Sequence, residues 1–144
     1  MASESFNHSA IAAATRDHVW TALQKPGTWE GIGGVENVHN PVVDADGSLQ
    51  GFSFETVVGG KVYLGQARPG RREEGRSMVW NIETSDIAGT VTVTLEDEGA
   101  GTRVDVTLDV ESRGMLAAAF FPMISSTIGN GFPATVEEFA AGLG

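Results

Sequence analysis

Between residues 35 and 111 apolar and polar side chains alternate with a period of two, and this constrains the chain more than any other feature. A period of two buries one face of a strand and wets the other, whereas a helix needs a period near 3.6. The alternation breaks into segments at 35–43, 49–58, 61–68, 77–84, 88–96 and 102–111. The connections are Asp44-Ala45-Asp46-Gly47, the pair Gly59 and Gly60, a basic loop around Pro69 and Gly70, the pair Ser85 and Asp86, and Gly99-Ala100-Gly101. Each carries residues that tolerate the backbone angles of a tight reversal. The expectation is an antiparallel meander of six consecutive strands. Glycine is abundant, at 19 of 144 residues, and clustered glycine would suggest low-complexity disorder. Here most glycines fall between the alternating runs, so they punctuate the meander.

Turn length sets the register. A two-residue turn at Gly59 and Gly60 pairs Thr56 with Tyr63, Phe54 with Gly65 and Phe52 with Ala67 on one face. Glu55, Leu64, Val57 and Val62 then share the other. The aromatic side is the better interior, and Gly65 leaves space there. In the last hairpin, Val91, Val93, Leu95, Val104, Val106 and Leu108 share a face, and Glu96 stands opposite Arg103 on the reverse. An exposed pair of that kind contributes at most a few tenths of a kcal/mol.

Residues 4–13 read as a first strand, weakened by its alanines. Thr15 suits a helix N-cap, with Val19, Trp20 and Leu23 as the apolar face and Lys25-Pro26-Gly27 as the stop. Pro26 also suits the first position of a second short helix through Trp29 and Ile32, ending at Gly33 and Gly34. From Gly114 the period becomes helical: Leu116, Phe120, Met123 and Thr127 form one stripe, with Ile124 beside it. Pro122 interrupts that stripe, and Gly129-Asn130-Gly131-Phe132-Pro133 must break or kink the helix. Two helical pieces or one bent helix are expected. After Pro133, Val136, Phe139, Ala140 and Leu143 form a second stripe, with Glu137 and Glu138 exposed. No repeat or linker divides residues 1–144, which read as one domain.

Composition removes whole classes of function. The chain has no cysteine, which excludes disulfides, thiolate metal sites and cysteine nucleophiles. Its formal net charge of −10 argues against a nucleic-acid partner, which needs clustered cations. No apolar run approaches the length needed to span a bilayer, and no export segment is seen at the start. A cytoplasmic location is the expectation. There is no Gly-x-Ser-x-Gly elbow, P-loop or dinucleotide fingerprint. Asp44-Ala45-Asp46-Gly47 is too short for a calcium loop, because glycine arrives early and the distal glutamate is missing. His8, His18 and His39 have no zinc spacing. His18 and His39 are expected to face solvent, whereas His8 shares parity with Phe6 and can point inward, where a general base is conceivable. Glu55 and Glu83 read as solvated rather than as an acid/base pair. Neither a cofactor nor a metal is expected, and no catalytic residue is assigned. Arg68, Arg71, Arg72 and Arg76 hold four of the nine cations. They read as a solvated turn or as a handle for an acidic head group.

The order of strand, two short helices, six-strand meander and long C-terminal helix resembles the helix-grip fold of the START/SRPBCC superfamily, which includes polyketide cyclases and the birch-pollen allergen type. The resembling stretches are Ala12-Ala13-Ala14-Thr15-Arg16-Asp17-His18-Val19-Trp20, Gly33-Gly34-Val35-Glu36-Asn37-Val38 and Gly99-Ala100-Gly101-Thr102-Arg103-Val104. Val58-Gly59-Gly60, Tyr63-Leu64-Gly65 and the closing helix are most similar to the branch of carbon-monoxide dehydrogenase G-type subunits. The resemblance implies an α+β fold in which a seven-stranded antiparallel sheet curves around a long C-terminal helix, which the proline and glycine pattern of this chain reads as kinked. It also implies an elongated cavity between sheet and helix that holds an apolar or amphipathic molecule. It transfers no catalytic residue. The proline and glycine breaks in the last helix depart from the uninterrupted helix of the family.

On that implied fold the pocket set is Phe52, Phe54, Tyr63, Met78, Trp80, Ile82, Phe120, Met123 and Ile124. A packed core is the competing reading for each of them. Tyr63 and Trp80 carry polar groups able to orient a ligand. The leading expectation is binding or transport of a hydrophobic or amphipathic small molecule, lipid or polyketide-like. A polyketide cyclase or dehydratase is the alternative, with His8, Tyr63 and Glu55 as its ionisable candidates. An accessory subunit of a redox complex is a third.

Overall fold

The computed structural model describes residues 3–29, 36–58, 61–85, 87–113 and 115–143. Strand β1 (Ser3–Ala12) is followed by helix α1 (Arg16–Leu23) and a 3-10 turn (Pro26–Trp29). The meander then runs through β2 (Glu36–Val43), β3 (Leu49–Val58), β4 (Lys61–Glu73), β5 (Ser77–Thr84), β6 (Ile87–Glu98) and β7 (Gly101–Ser112). Helix α2 (Met115–Gly142) closes the chain. The sheet has seven strands in the order β1-β7-β6-β5-β4-β3-β2, so β1 and β2 are its edges. The expected helix-grip architecture is the one observed.

Local chemistry accounts for the connections. Thr15 caps α1 by accepting from the His18 N–H at 3.2 Å, which satisfies one of the orphan donors of a helix start. Asp44 Oδ1 accepts from the Asp46 and Ser48 N–H groups at 2.9 and 3.0 Å, while Gly47 takes φ +85°. These bonds stabilise the reversal between β2 and β3. The second short helix stops at Trp29 as a 3-10 turn; its expected continuation through Ile32 to Gly33 and Gly34 lies outside the described residues.

Both expected registers are found. Thr56 pairs with Tyr63, Phe54 with Gly65 and Phe52 with Ala67. In the last hairpin Val91 pairs with Leu108, Val93 with Val106, Leu95 with Val104 and Glu96 with Arg103. Glu96 and Arg103 close no ion pair, because two solvated long side chains gain little from holding one geometry.

One turn is misplaced by the sequence reading. Pro69 and Gly70 do not reverse the chain; β4 continues through them to Glu73, and the reversal falls at Gly75, whose φ is +74°. Proline is tolerated here because the ladder with β3 ends at Ala67, so no partner is left waiting for its missing N–H. The β4–β5 register shifts between Pro69 and Arg72. A bulge of this kind turns the next side chain to the opposite face.

Helix α2 is one continuous element with Pro122 and Pro133 inside it, so the two-piece alternative is excluded. Proline removes an N–H and frees the carbonyl four residues earlier. Near Pro133, the Thr135 hydroxyl donates to the Gly131 carbonyl at 2.8 Å. Phe132, Val136 and Ala140 are buried, so tertiary packing holds a segment that propensity alone would break.

The interior has two halves. One half is an aliphatic wall from β6, β7 and β1, including Val91, Val93, Val104, Val106 and Leu108, with α2 lying against β1 and β7 and α1 against β6 and β7. Toward β3, β4 and β5 the wall is aromatic and is covered by α1 and the 3-10 turn.

Candidate ligand-binding site

The aromatic half is built by alternation. Phe52 and Phe54 on β3, Tyr63 and Ala67 on β4, and Met78, Trp80 and Ile82 on β5 share the inner face. Trp80 is the hub. Its ring centroid lies 5.5 Å from Phe52 and 5.8 Å from Trp29, the latter edge-on, and Phe52 is 6.3 Å from Phe54. These are the offset and edge contacts that aromatic quadrupoles favour. The Trp80 indole donates to Met78 Sδ at 3.2 Å, and the Trp29 indole donates to the Leu23 carbonyl at 3.0 Å. Both polar handles are therefore used inside the protein. The Phe54 ring occupies the place where a Cβ on Gly65 would sit. The space left by Gly65 is thus filled by protein.

The nine pocket residues proposed from sequence separate into three groups. Phe52, Phe54, Met78 and Trp80 are buried in this cluster. Tyr63 and Ile82 also pack against it but are only partly buried. Phe120, Met123 and Ile124 lie on α2, and their side chains are outside the described residues. Four further buried aromatics belong to the interior among the described residues: Trp20, Trp29, Phe121 and Phe132. Trp29 sat in the segment read as a second short helix, Phe132 in the one read as a helix break, and Phe121 is one position off the helical stripe. An apolar ring between glycine and proline was the signal available for Phe132.

Arg72 is the largest departure from expectation among the arginines. The register shift after Pro69 brings it opposite Met78 on the inner face. Its guanidinium carbon lies 5.9 Å from the Trp20 ring and 5.6 Å from the Trp80 ring. It donates to the Leu49 carbonyl at 2.9 Å and to Gln24 Oε1 at 3.4 Å. Burial pushes its pKa below the usual arginine value, while the carboxylates of Asp44 and Glu74 act in the opposite direction. Arg72 is therefore not part of a solvated turn; it bolts α1 and the start of β3 to β5 through cation–π and hydrogen-bond contacts. Arg68, Arg71 and Arg76 are exposed.

His8 lies on the inner face of β1 and its Nε2 donates to Glu137 Oε1 at 2.8 Å, with side-chain exposures of 29% and 60%. Glu137 is exposed as expected and through this contact joins α2 to β1. His18 and His39 are exposed as expected. Glu55 accepts from Asn37 Nδ2 at 2.5 Å on the outer face, and Glu83 pairs with Arg113 at 3.1 Å. These two carboxylates do not converge. Among the described residues no three His, Asp or Glu side chains gather to hold a metal ion.

The outer face carries two open troughs, of about 690 and 760 Å³, on either side of β5. Ser53, Gln66, Arg68, Asn81 and Glu83 line the first; Asn81, Glu83, Thr90, Asp109 and Glu111 line the second. Their polar lining sets them apart from the aromatic inner wall.

The comparisons with known proteins now bear on the fold. No protein-family model matches the sequence, and no curated protein matches it. Solved structures do. A START superfamily protein from Mycobacterium smegmatis superposes with a TM-score of 0.71 at 10% identity, covering 94% of this chain and 96% of its own. The Zhui aromatase/cyclase from Streptomyces sp. R1128 gives 0.70 at 14% identity, covering 94% and 92%. A protein from Thermus thermophilus gives 0.69 at 16%, covering 95% and 97%. The chain has the START/polyketide cyclase superfamily fold. At such identities the likeness speaks for architecture and leaves the chemistry to the site. Among the described residues, no helix is long and apolar enough to cross a membrane.

Proposed function

We propose that this domain binds a hydrophobic or amphipathic small molecule, lipid or polyketide-like, between the aromatic half of the sheet and the first half of α2, acting in the cytoplasm. One observation carries the reading: at one end of the inner face burial gives way on β4 and β5, between the buried Thr56 of β3 and Ile87 of β6. Trp80 is 1% exposed, whereas Tyr63, Ile82 and Thr84 toward that end are only partly buried. Chain connectivity brings α2 to the same end, because Ser112 pairs with Ile87 and the helix begins at Met115. The α2 segment bearing Phe120, Met123 and Ile124 would then form the facing wall. Trp80, Phe52, Phe54 and Met78 would make the floor, and Tyr63 and Ile82 the side that a ligand reaches first. Affinity would come from apolar burial, at about 25 cal/mol per Å².

Native mass spectrometry and a thermal-shift panel of fatty acids, sterols and aromatic polyketide-like compounds test this. Binding of at least one class, lost in Ile82→Trp, is expected. Absence of any shift across the panel would overturn it. A second reading, a cyclase or dehydratase, is favoured by one contact. His8 stands on the inner face with Glu137 orienting its imidazole, which is how a general base is held. Turnover of a polyketide-like substrate that survives His8→Gln unchanged would remove it. Assignment to the branch of carbon-monoxide dehydrogenase G-type subunits rests on the sequence alone, on residues 58–60 and 63–65 and the closing helix.

A further inference from the structure

Resting on the pocket proposed above, we infer that it selects neutral amphiphiles over acids and amines of the same shape. Such a ligand carries an alcohol, phenol, ketone or ester on an apolar body. The polar chemistry of the wall is what selects the head group. From Phe52 to Thr56 on β3, Tyr63 to Ala67 on β4 and Trp80 to Thr84 on β5, the inward side chains offer three hydroxyls and one indole. The Trp80 indole is taken by Met78 Sδ. Thr84 is committed to the turn, where its hydroxyl accepts from the Ile87 N–H at 3.1 Å. Thr56 stands directly opposite Tyr63, which sets their Cβ atoms about 5 Å apart.

Thr56 is the member that points to a ligand. It is 7% exposed, and buried hydroxyls in folded proteins are hydrogen-bonded. The buried Thr102 follows that rule by donating to the Ala14 carbonyl at 2.8 Å. The Thr56 hydroxyl has no such partner among the described residues, yet none of their fully enclosed side-chain oxygens or nitrogens is left unpaired. It therefore keeps an accessible edge, at the end where Tyr63 and Ile82 are only partly buried. A head group seated there meets one hydroxyl from each strand, and each can donate or accept.

Charge lies elsewhere. Arg72 pairs with Met78, two rows beyond Ile82 and on the far side of Trp80. Its guanidinium is already held by the Leu49 carbonyl, by Gln24 and by two indole rings. Glu55 and Glu83 lie on the outer face, engaged by Asn37 and Arg113. Lys61 pairs with Val58 at the hairpin tip, one row outside Tyr63. A carboxylate or ammonium drawn to Thr56 would shed water with no opposite charge on the inner wall to replace it. A neutral head exchanges its water for the two hydroxyls. The net charge of −10 also repels acids at long range.

A matched series tests this on the full-length protein near neutral pH: dodecanol, methyl dodecanoate, dodecanoate and dodecylammonium, followed by native mass spectrometry and tryptophan fluorescence. The alcohol and the ester should bind at least about tenfold more tightly than the two ions. Thr56→Val and Tyr63→Phe should each weaken dodecanol about three- to tenfold. Dodecyl chloride, which has the chain without the hydroxyl, should bind both variants as it binds the parent. Circular dichroism establishes that the variants remain folded. Dodecanoate bound as tightly as dodecanol, through Lys61 where Lys61→Met abolishes it, would overturn the inference and leave the pocket standing. So would a dodecanol affinity indifferent to both hydroxyl variants. Silence of the whole series would remove the pocket and the inference together.

Discussion

The aliphatic and aromatic halves of the interior share one sheet but are held together differently. In the first, β6, β7 and β1 pair without a register shift, and the buried side chains are mostly branched aliphatics. Any one of them acts on its own neighbours. In the aromatic half, β4 bulges, a glycine is filled by a neighbouring ring, and a guanidinium is held between two indoles. Residues there act as a unit. The aliphatic half behaves as scaffold. The aromatic half, where Tyr63 and Ile82 are only partly buried, is where the proposed ligand would sit.

The sharpest test of that contrast is Trp80→Ala, which should cost about 3–5 kcal/mol in chemical denaturation. Because it also deprives Arg72 of a ring, the loss in Trp80→Ala/Arg72→Met should fall short of the sum of the single losses. In the aliphatic half, Leu108→Ala should cost about 2–5 kcal/mol and add independently to Arg72→Met. Coupling of equal size in both would erase the distinction.

Two glycines sharpen it further. Gly89→Ala drives a methyl against the Asp109 carbonyl, and Gly65→Ala drives one against the Phe54 ring. Each should cost about 1–3 kcal/mol. Adding Phe54→Ala should relieve the strain at Gly65, whereas no side-chain truncation should rescue Gly89, whose obstacle is backbone. Thermal unfolding of the double variants separates the two cases.

Smaller effects follow. Thr15→Ala should cost about 1 kcal/mol by uncapping α1, measurable as a lower denaturation midpoint. Arg103→Gln should change stability by less than about 0.5 kcal/mol, since its partner across the strand, Glu96, forms no ion pair with it. A loss above about 1 kcal/mol at Arg103 would show that the outer face is more tightly coupled than its exposure implies.

The meander, both hairpin registers and the inward aromatic row were legible because a period of two and a short turn leave little freedom once one face is apolar. Thr15 and Pro26 were legible as helix starts for a similar reason: capping depends on the nearest few residues. The turn near Pro69 was misread because proline and glycine mark turns and bulges alike. Only the neighbouring strands decide which one forms. Phe132 was hidden because it stands between Gly131 and Pro133, where local propensity argues against helix and tertiary packing overrides it.

By itself the sequence determined the order of the meander from β2 to β7, the acidic surface and the identity of the inner wall, since alternation, charge and turn chemistry act over a few neighbouring residues. Tertiary structure alone decided that α2 continues through both prolines, that Arg72 turns inward between Trp20 and Trp80, and that His8 meets Glu137 across 129 positions. Those contacts join residues far apart in the chain, and their energies depend on desolvation and shape that exist only once the sheet and helices have packed.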